Sequence, residues 1–323
     1  MTDMNDGLFT AIRAACAAVA GRSRFVALDH AAIPGYAASL SFAGLPEPVY
    51  DRDHHFHGDP AATVAYVLSL DSVNFGSGWF PRLQKRPGMS GYFTVASSLT
   101  DRFRSRGPWS ASDLVALSPE ACSEVFGQEP DGPVADLLAL FARALNDLGR
   151  WLEEGWGGDW TGPVREASGS AERLAGLLLG MELFRDVAAY GELEVPLLKR
   201  AQLAAADLAL AFGGQGLGRF GDLDRLTIFA DNLVPHVLRL DGILRYDPAL
   251  LAAIERGDLL PAGSPEEVEI RAVALHAAEL VVAELARRGN PTTAARLDYL
   301  LWNRGQAPGS KAHRRHRTRT VFY

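Results

Sequence analysis

Most long segments of this chain repeat their apolar residues at the spacing of an α-helix. In the first of them Leu8, Ile12, Ala15 and Val19 form one stripe, and Asp6 precedes it as a candidate N-cap. Few segments alternate apolar and polar residues, which is the pattern of a half-buried strand. The sequence therefore predicts a mainly α-helical fold.

Signals for a helix start are clearest at two places. Asp59-Pro60 combines an N-cap with proline at the first helical position. Ser264-Pro265-Glu266-Glu267 adds a glutamate at the third helical position, which can bond back to the cap. From such signals and the apolar spacing we predict helices over residues 61–70, 92–104, 111–116, 119–126, 133–154, 171–183, 196–211, 233–240 and 266–288.

With 323 residues, of which 48% are hydrophobic, the chain can bury a sizeable core. We predict one catalytic unit over residues 1–323. A lobe boundary in the glycine-rich stretch 155–169 would divide it into two helical lobes, about 1–160 and 161–323, with the site between them.

Charge and apolar runs exclude two broad classes of protein. The net charge of -7 argues against a protein that mainly grips duplex nucleic acid, because that affinity depends on neutralising phosphates. The longest apolar run, 204–212, contains Asp207 and is far shorter than the roughly 20 residues of a membrane span. We predict no duplex nucleic acid and no membrane among the partners.

The remaining signals on location point to a reducing cytoplasm. Cys16 and Cys122 are the two cysteines, and their wide separation fits neither a disulfide framework nor a cysteine zinc site. The start of the chain, MTDMNDGLF, also lacks the basic residues with which a secretory signal begins. We therefore predict a cytoplasmic protein.

A histidine-rich loop at residues 51–59 is the one dense group of metal-type ligands. It holds His54, His55 and His57 among three aspartates, so it could bind a transition metal or contribute one histidine or aspartate to a polar site. No second matching cluster accompanies it.

Gly216-Leu-Gly-Arg-Phe-Gly221 follows a predicted helix rather than a strand, which does not fit dinucleotide binding. The sequence predicts neither a metal nor a cofactor.

Three features carry charge in unusual surroundings. Asp231 interrupts an apolar run directly before a predicted helix, so it is either a helix cap or a partly desolvated carboxylate suited to stabilising a cation. Lys199-Arg200 lies one turn into a helix, where solvated surface charge is the plain interpretation. The tail after Asp298 is basic and ends in the apolar residues Val-Phe-Tyr323. The apolar end favours docking back onto the body of the protein, and the arginines favour a phosphate site.

His236 lies inside a helical pattern and is typical of a buried, hydrogen-bonded histidine.

Six blocks in fixed order resemble the queuosine salvage protein family, over roughly residues 60–323. They are Asp71-x-x-Asn-Phe75, Lys199-Arg-Ala-Gln202, Phe229-Ala-Asp-x-x-Val-Pro235, Glu267-Val-Glu-Ile-Arg271, Leu297-Asp-Tyr-Leu-Leu-Trp302 and the aromatic C-terminus.

The resemblance implies a multi-helix fold related to the helix-hairpin-helix DNA glycosylases. It also implies hydrolysis of the N-glycosidic bond of queuosine 5′-monophosphate, which releases queuine and ribose 5-phosphate. Cleavage of that bond builds positive charge on the sugar and so requires a carboxylate, a base pocket and cations for the phosphate.

Carried onto this chain, the resemblance gives each class of group its residues. Asp231 is the expected catalytic carboxylate, as nucleophile or as the activator of water. The base is expected at Asn74, Phe75, Asp71 and His54, the 5′-phosphate at Lys199, Arg315, Arg317 and Arg319, with His236 and Trp302 as further candidates.

Two other functions remain open from the sequence. The first is a glycosylase of the same fold that acts on damaged bases in a polynucleotide, which would require a broad basic face. The second is a helical module that binds a nucleobase without chemistry, in which Asp231 is only a cap.

Overall fold

Helices dominate the computed structural model, which describes residues 7–323, and the prediction of a mainly helical fold is confirmed. Asp6, the predicted cap of the first helix, lies outside the described residues. In the described part the helices are α1 Leu8–Ala20, α2 Ile33–Ser39, α3 Pro60–Val73, α4 Gly91–Arg106, α5 Ala111–Val115, α6 Pro119–Phe126, α7 Ala135–Trp156, α8 Gly162–Glu166, α9 Ala171–Leu178, α10 Lys199–Ala211, α11 Val234–Leu240, α12 Pro248–Arg256, α13 Pro265–Arg287, α14 Ala294–Gly305 and α15 Pro308–Lys311.

The two clearest start signals mark helix starts as predicted, although the Glu267 carboxylate bonds back to the N–H of Gly263 instead of that of the cap, Ser264. The Asp59 carboxylate accepts a hydrogen bond from the backbone N–H of Ala62, and the Ser264 hydroxyl accepts one from the N–H of Glu267. These bonds satisfy donors that have no partner inside the helix. Both helices consequently begin at the proline that follows the cap.

Three helix ends differ from the prediction by three residues or more. Helix α3 continues beyond residue 70 to Val73, so the polar residues from 71 onward begin inside the helix. Helix α9 stops at Leu178, and α10 begins only at Lys199 because Pro196 is paired with Val187 in a hairpin. A local apolar pattern does not register such a pairing, which depends on residues distant from the helix.

Six short strands in residues 7–323 were not predicted, and helices α2, α8, α12, α14 and α15 were also missed. The strands β1 Val26–Leu28 and β4 Leu244–Tyr246 pair antiparallel, as do β2 Val187–Tyr190 and β3 Leu193–Pro196. The strands β5 Leu259–Leu260 and β6 Arg317–Thr318 pair parallel. Segments of two to four residues are too short to show a period.

The described residues form two compact units, each assembled from separate parts of the chain. The first comprises the residues up to 48, with 186–199 and 224–319, and the second comprises 49–185, 200–223 and 320–323. In the first unit α13 is the central helix and packs against α1, α2 and α14, and in the second α7 packs against α3, α5 and α6. The lobe boundary expected near residue 160 stays a prediction.

Among the helices that the structure describes, none is both long and apolar enough to cross a membrane.

Candidate active site and family

Asp231 lies in the first unit, in the loop that leads into α11. One of its carboxylate oxygens, Oδ1, accepts hydrogen bonds from the backbone N–H of Leu233 at 2.7 Å and of Val234 at 3.4 Å. The side chain is half-buried, and its Oδ2 accepts no hydrogen bond from residues 7–323. Asp231 therefore holds the turn that leads into α11 with one oxygen and leaves the other for a different partner, while Leu233 occupies the N-cap position of that helix.

A second carboxyl group, Asp298, is electrostatically coupled to Asp231. Asp298 lies on α14 and is buried, and its Oδ1 accepts a hydrogen bond of 2.8 Å from the N–H of Phe229. Burial and the negative charge of Asp231 raise the pKa of Asp298 to about 7. Asp298 can therefore both give and take a proton near neutral pH, as a catalytic acid or base must.

Two cations act on the same carboxylates. The positive charge of Lys199 opposes the upward shift of the pKa of Asp298. Desolvation lowers the pKa of the Arg315 guanidinium, and the charge of Asp231 opposes that shift. Arg315 keeps exposed surface although many protein atoms surround it, so it remains open to an anion. We call Asp231, Asp298, Lys199 and Arg315 the carboxylate–cation cluster.

The three tail arginines predicted to bind phosphate share one side of an extended segment. Arg315, Arg317 and Arg319 keep some exposure, whereas His316 and Thr318 between them are buried. This alternation is the pattern of a strand, and Arg317 and Thr318 form β6. Arg317 donates a hydrogen bond to the carbonyl of Gly257, which fixes its direction.

Asp298 gives a test of the cluster through protein stability. The folded protein keeps the Asp298 proton up to about pH 7, whereas the unfolded chain loses it near its ordinary pKa of about 4. Its contribution to the free energy of unfolding is therefore fully present below about pH 4 and is lost as the pH rises through 7. The side chain of Asp298→Asn does not ionise. We therefore expect the free energy of unfolding of Asp298→Asn, minus that of the wild type, to rise by about 2–4 kcal/mol as the pH is raised from 4 to 8.

Urea unfolding of both proteins at a series of pH values measures this difference. Groups that titrate in both proteins cancel, so the difference reports Asp298. A difference that does not change with pH would contradict the raised pKa.

Three of the predicted base-binding residues meet at the end of α3, in the second unit. Asp71 is fully buried and its Oδ1 accepts a hydrogen bond of 3.3 Å from the Asn74 amide. The ring of Phe75 is 2% exposed and makes an edge-to-face contact with Phe141 at 5.2 Å between centroids. The N–H of Gly76 donates to the carbonyl of Tyr323, so the predicted docking of the aromatic tail is confirmed.

Arg200 holds the backbone at the end of α3 by hydrogen bonds. Its guanidinium donates to the carbonyls of Asp71 and Ser72 at 2.8 and 2.9 Å, and also to that of Leu183. It also lies 5.1 Å from the ring centroid of Phe75. Arg200 is 2% exposed and Lys199 is 8% exposed. The interpretation of this pair as solvated surface charge is therefore wrong, because both side chains are buried.

His54, the fourth base-binding candidate, makes different contacts. Its Nδ1 pairs with Asp51 Oδ2 at 2.8 Å, and its ring lies 4.6 Å from that of Phe93. The neighbouring His55 uses both ring nitrogens, Nδ1 with the carbonyl of Asp51 and Nε2 with the Tyr92 hydroxyl. Across residues 7–323 the structure contains no group of three or more histidine, cysteine or acidic side chains arranged to hold a metal.

The two further candidates differ in character. His236 is buried, and its Nε2 bonds to the carbonyl of Ser310 while its Nδ1 faces Arg239. Burial lowers its pKa to about 4, so it is a neutral, hydrogen-bonded histidine at pH 7. Trp302 is half-buried on α14, one turn after Asp298, and so shares a helix face with that carboxyl group.

Asp298 was missed as a site residue although its block was recognised. It is the sole acid in Leu-Asp-Tyr-Leu-Leu-Trp, and its apolar and aromatic neighbours are the signal that could have indicated a desolvated carboxylate. Arg200 was missed because a helical charge next to Lys199 gives no local sign of burial.

Comparison with known proteins gives the relatives of this chain. The family model described as queuosine salvage protein matches residues 54–323. The chain is 36% identical to the queuosine 5′-phosphate N-glycosylase/hydrolase of Sphaerobacter thermophilus, over 94% of this chain and 95% of that protein.

More distant relatives carry the same name. The protein of Dictyostelium discoideum is 31% identical over 81% of this chain and 78% of its own length. That of Mus musculus is 29% identical over 94% of this chain and 96% of its own. The match over most of the chain, together with the six ordered blocks, shows that this chain belongs to the queuosine salvage protein family.

Proposed function

We propose that the protein hydrolyses the N-glycosidic bond of queuosine 5′-monophosphate and releases queuine and ribose 5-phosphate. The observation that supports this most strongly is the carboxylate–cation cluster, in which burial and the charge of Asp231 raise the pKa of Asp298, and the charge of Asp231 also acts on Arg315. The names of the relatives supply the substrate. Such a cluster offers a negative charge for a sugar cation and positive charges for a phosphate.

In this proposal Asp231 stabilises the positive charge that develops at C1′ as the bond to the base breaks. Its Oδ1 is held by two backbone N–H groups, which leaves Oδ2 for the sugar. Water then adds its oxygen to C1′. A protonated Asp298, with a pKa of about 7, gives a proton to the departing base and takes one back from the water, so the protons balance.

The substrate's other groups are assigned to the residues that the resemblance indicated. Asn74, Asp71, Phe75 and His54 bind the 7-deazaguanine base, and Lys199, Arg315, Arg317 and Arg319 bind the 5′-phosphate. No cofactor or metal takes part. The fold is proposed to be related to the helical DNA glycosylases and the enzyme to work in the cytoplasm, without duplex nucleic acid or a membrane as partner.

Lys199 tests the phosphate assignment. We expect Lys199→Ala to raise KM for queuosine 5′-monophosphate about tenfold or more and to leave the Kd of free queuine, which has no phosphate, nearly unchanged. Lys311→Ala is the matched control, because Lys311 is an exposed lysine of the same unit. Steady-state kinetics and calorimetry measure the two constants. Equal weakening of both ligands would contradict the placement at the phosphate.

A series of substrates tests the proposed function against its alternatives. We expect queuine release to be fastest from queuosine 5′-monophosphate, slower from queuosine and absent from an oligonucleotide that contains damaged bases. Faster cleavage of the oligonucleotide would favour a polynucleotide glycosylase. Binding of queuine without release from either small substrate would favour a module without chemistry.

A further inference from the structure

A buried ion pair in the first unit lies beside both Asp231 and Lys199. Arg271 of α13 is 1% exposed and Asp186 is 3% exposed. The guanidinium holds the carboxylate with two bonds, from Nη1 to Oδ1 at 3.0 Å and from Nη2 to Oδ2 at 2.6 Å. This bidentate arrangement fixes the planes of both groups. Removing two charges from water is costly, so the pair gives little stability compared with apolar residues of the same volume.

Arg271 also bonds to the backbone just before Asp231. Its Nε donates to the carbonyl oxygen of Ala230 at 2.9 Å. That carbonyl belongs to the peptide unit that joins Ala230 to Asp231, and a peptide unit is planar and rigid. The bond from Arg271 therefore fixes the orientation of the backbone at Asp231.

Asp186 holds the backbone that precedes and includes Lys199. Its carbonyl oxygen accepts the N–H of Leu197 at 2.9 Å and that of Leu198 at 3.3 Å. Its carboxylate oxygen Oδ2 accepts the N–H of Lys199, also at 3.3 Å. The β2–β3 hairpin brings these parts together, because Val187 pairs with Pro196.

Leu198 shows that this segment is held in a strained conformation. Its φ is +51°, in the left-handed region that side chains other than glycine rarely adopt. Strain of this kind persists only where the surroundings impose it, and it concentrates at functional sites. The residue after the strained one is Lys199, the first residue of α10.

We propose that Asp186 and Arg271 are positioning residues, which together set the placement of Asp231 and Lys199 relative to each other. One buried pair is bonded to the backbone of both, through Ala230 on one side and through the 197–199 segment on the other. This inference rests on the proposed function, since it assigns Asp231 and Lys199 to the reaction.

The test is a double-mutant cycle. Arg271→Lys keeps the charge but loses the two-bond fork and the Nε bond to Ala230. We expect it to lower kcat for queuosine 5′-monophosphate by 10- to 100-fold with KM changed less than threefold. In an Asp231→Asn background the same substitution should lower kcat less than threefold further, because groups that act as a unit are not additive.

Arg13→Lys is the matched control. Arg13 also belongs to the first unit, pairs with Glu279 at 2.9 Å and donates to the carbonyls of Phe9 and Leu226. We expect Arg13→Lys to leave kcat unchanged. If Arg271→Lys does not fold, Asp186→Asn, which preserves the backbone carbonyl, takes its place with the same expected result.

A role confined to stability gives a different result. In that case Arg271→Lys lowers the urea midpoint but not kcat, or it lowers kcat by the same factor with and without Asp231, and either outcome overturns the inference. Queuine release by the wild type and by Arg13→Lys in the same assay tests the proposed function separately.

Discussion

Replacement of Asp231 by asparagine is expected to lower kcat for queuosine 5′-monophosphate by about 10³-fold or more. Asparagine keeps an oxygen for the N–H groups of Leu233 and Val234, so the start of α11 should remain intact. The negative charge that would stabilise the sugar cation is lost. Single-turnover release of queuine measures the effect.

Asp224→Asn is the control for this substitution, because Asp224 is an exposed aspartate of the same unit. We expect it to retain wild-type kcat. The free energy of unfolding of Asp231→Asn in urea should differ from that of the wild type by about 1 kcal/mol at most, since the side-chain oxygen that accepts the N–H groups of Leu233 and Val234 is preserved. Full turnover by Asp231→Asn would remove this residue from the proposed chemistry.

Replacement of Arg200 by methionine is expected to cost about 3–5 kcal/mol of the free energy of unfolding. Three carbonyl groups lose a donor, at about 1 kcal/mol each. The cation contacts with the rings of Phe75 and Phe184 disappear as well. Urea denaturation measures the loss. Affinity for free queuine should fall too, because the segment that carries Asn74 and Phe75 loses its support.

Arg102→Met provides the comparison. Arg102 is a half-buried arginine of the same unit that donates to one carbonyl, that of Gly107, and lies 4.5 Å from the ring centroid of Trp109. We expect it to lose about 1–2 kcal/mol and to keep its affinity for queuine. Equal losses of stability in the two variants would show that the buried Arg200 stabilises the fold no more than the half-buried Arg102 does.

The longest helices were predictable because their starts and apolar spacing are specified within a few residues. Asp59-Pro60 and Ser264-Pro265 mark their helix starts by bonds that span three residues. The strands were not predictable, since β6 and β5 join positions 317 and 259, which no local pattern connects.

Some properties of the candidate site were predictable from the sequence and others were not. Asp231 could be proposed from its apolar neighbours, and the ordered blocks then indicated a reaction. The pKa of Asp298 depends on burial and on Asp231, which is distant from it in sequence. The Arg271 and Asp186 pair likewise joins residues that are 85 positions apart. Such properties arise only when the chain has folded.

The most direct test of the proposed function is the balance of products from queuosine 5′-monophosphate. The purified protein is treated with a chelator and incubated with the substrate, and queuine and ribose 5-phosphate are quantified by chromatography. We expect the two products in equal amounts, at a rate that Asp231→Asn lowers by about 10³-fold or more and Asp224→Asn preserves. Intact substrate after incubation, with queuine still bound tightly, would contradict hydrolysis and support a binding module.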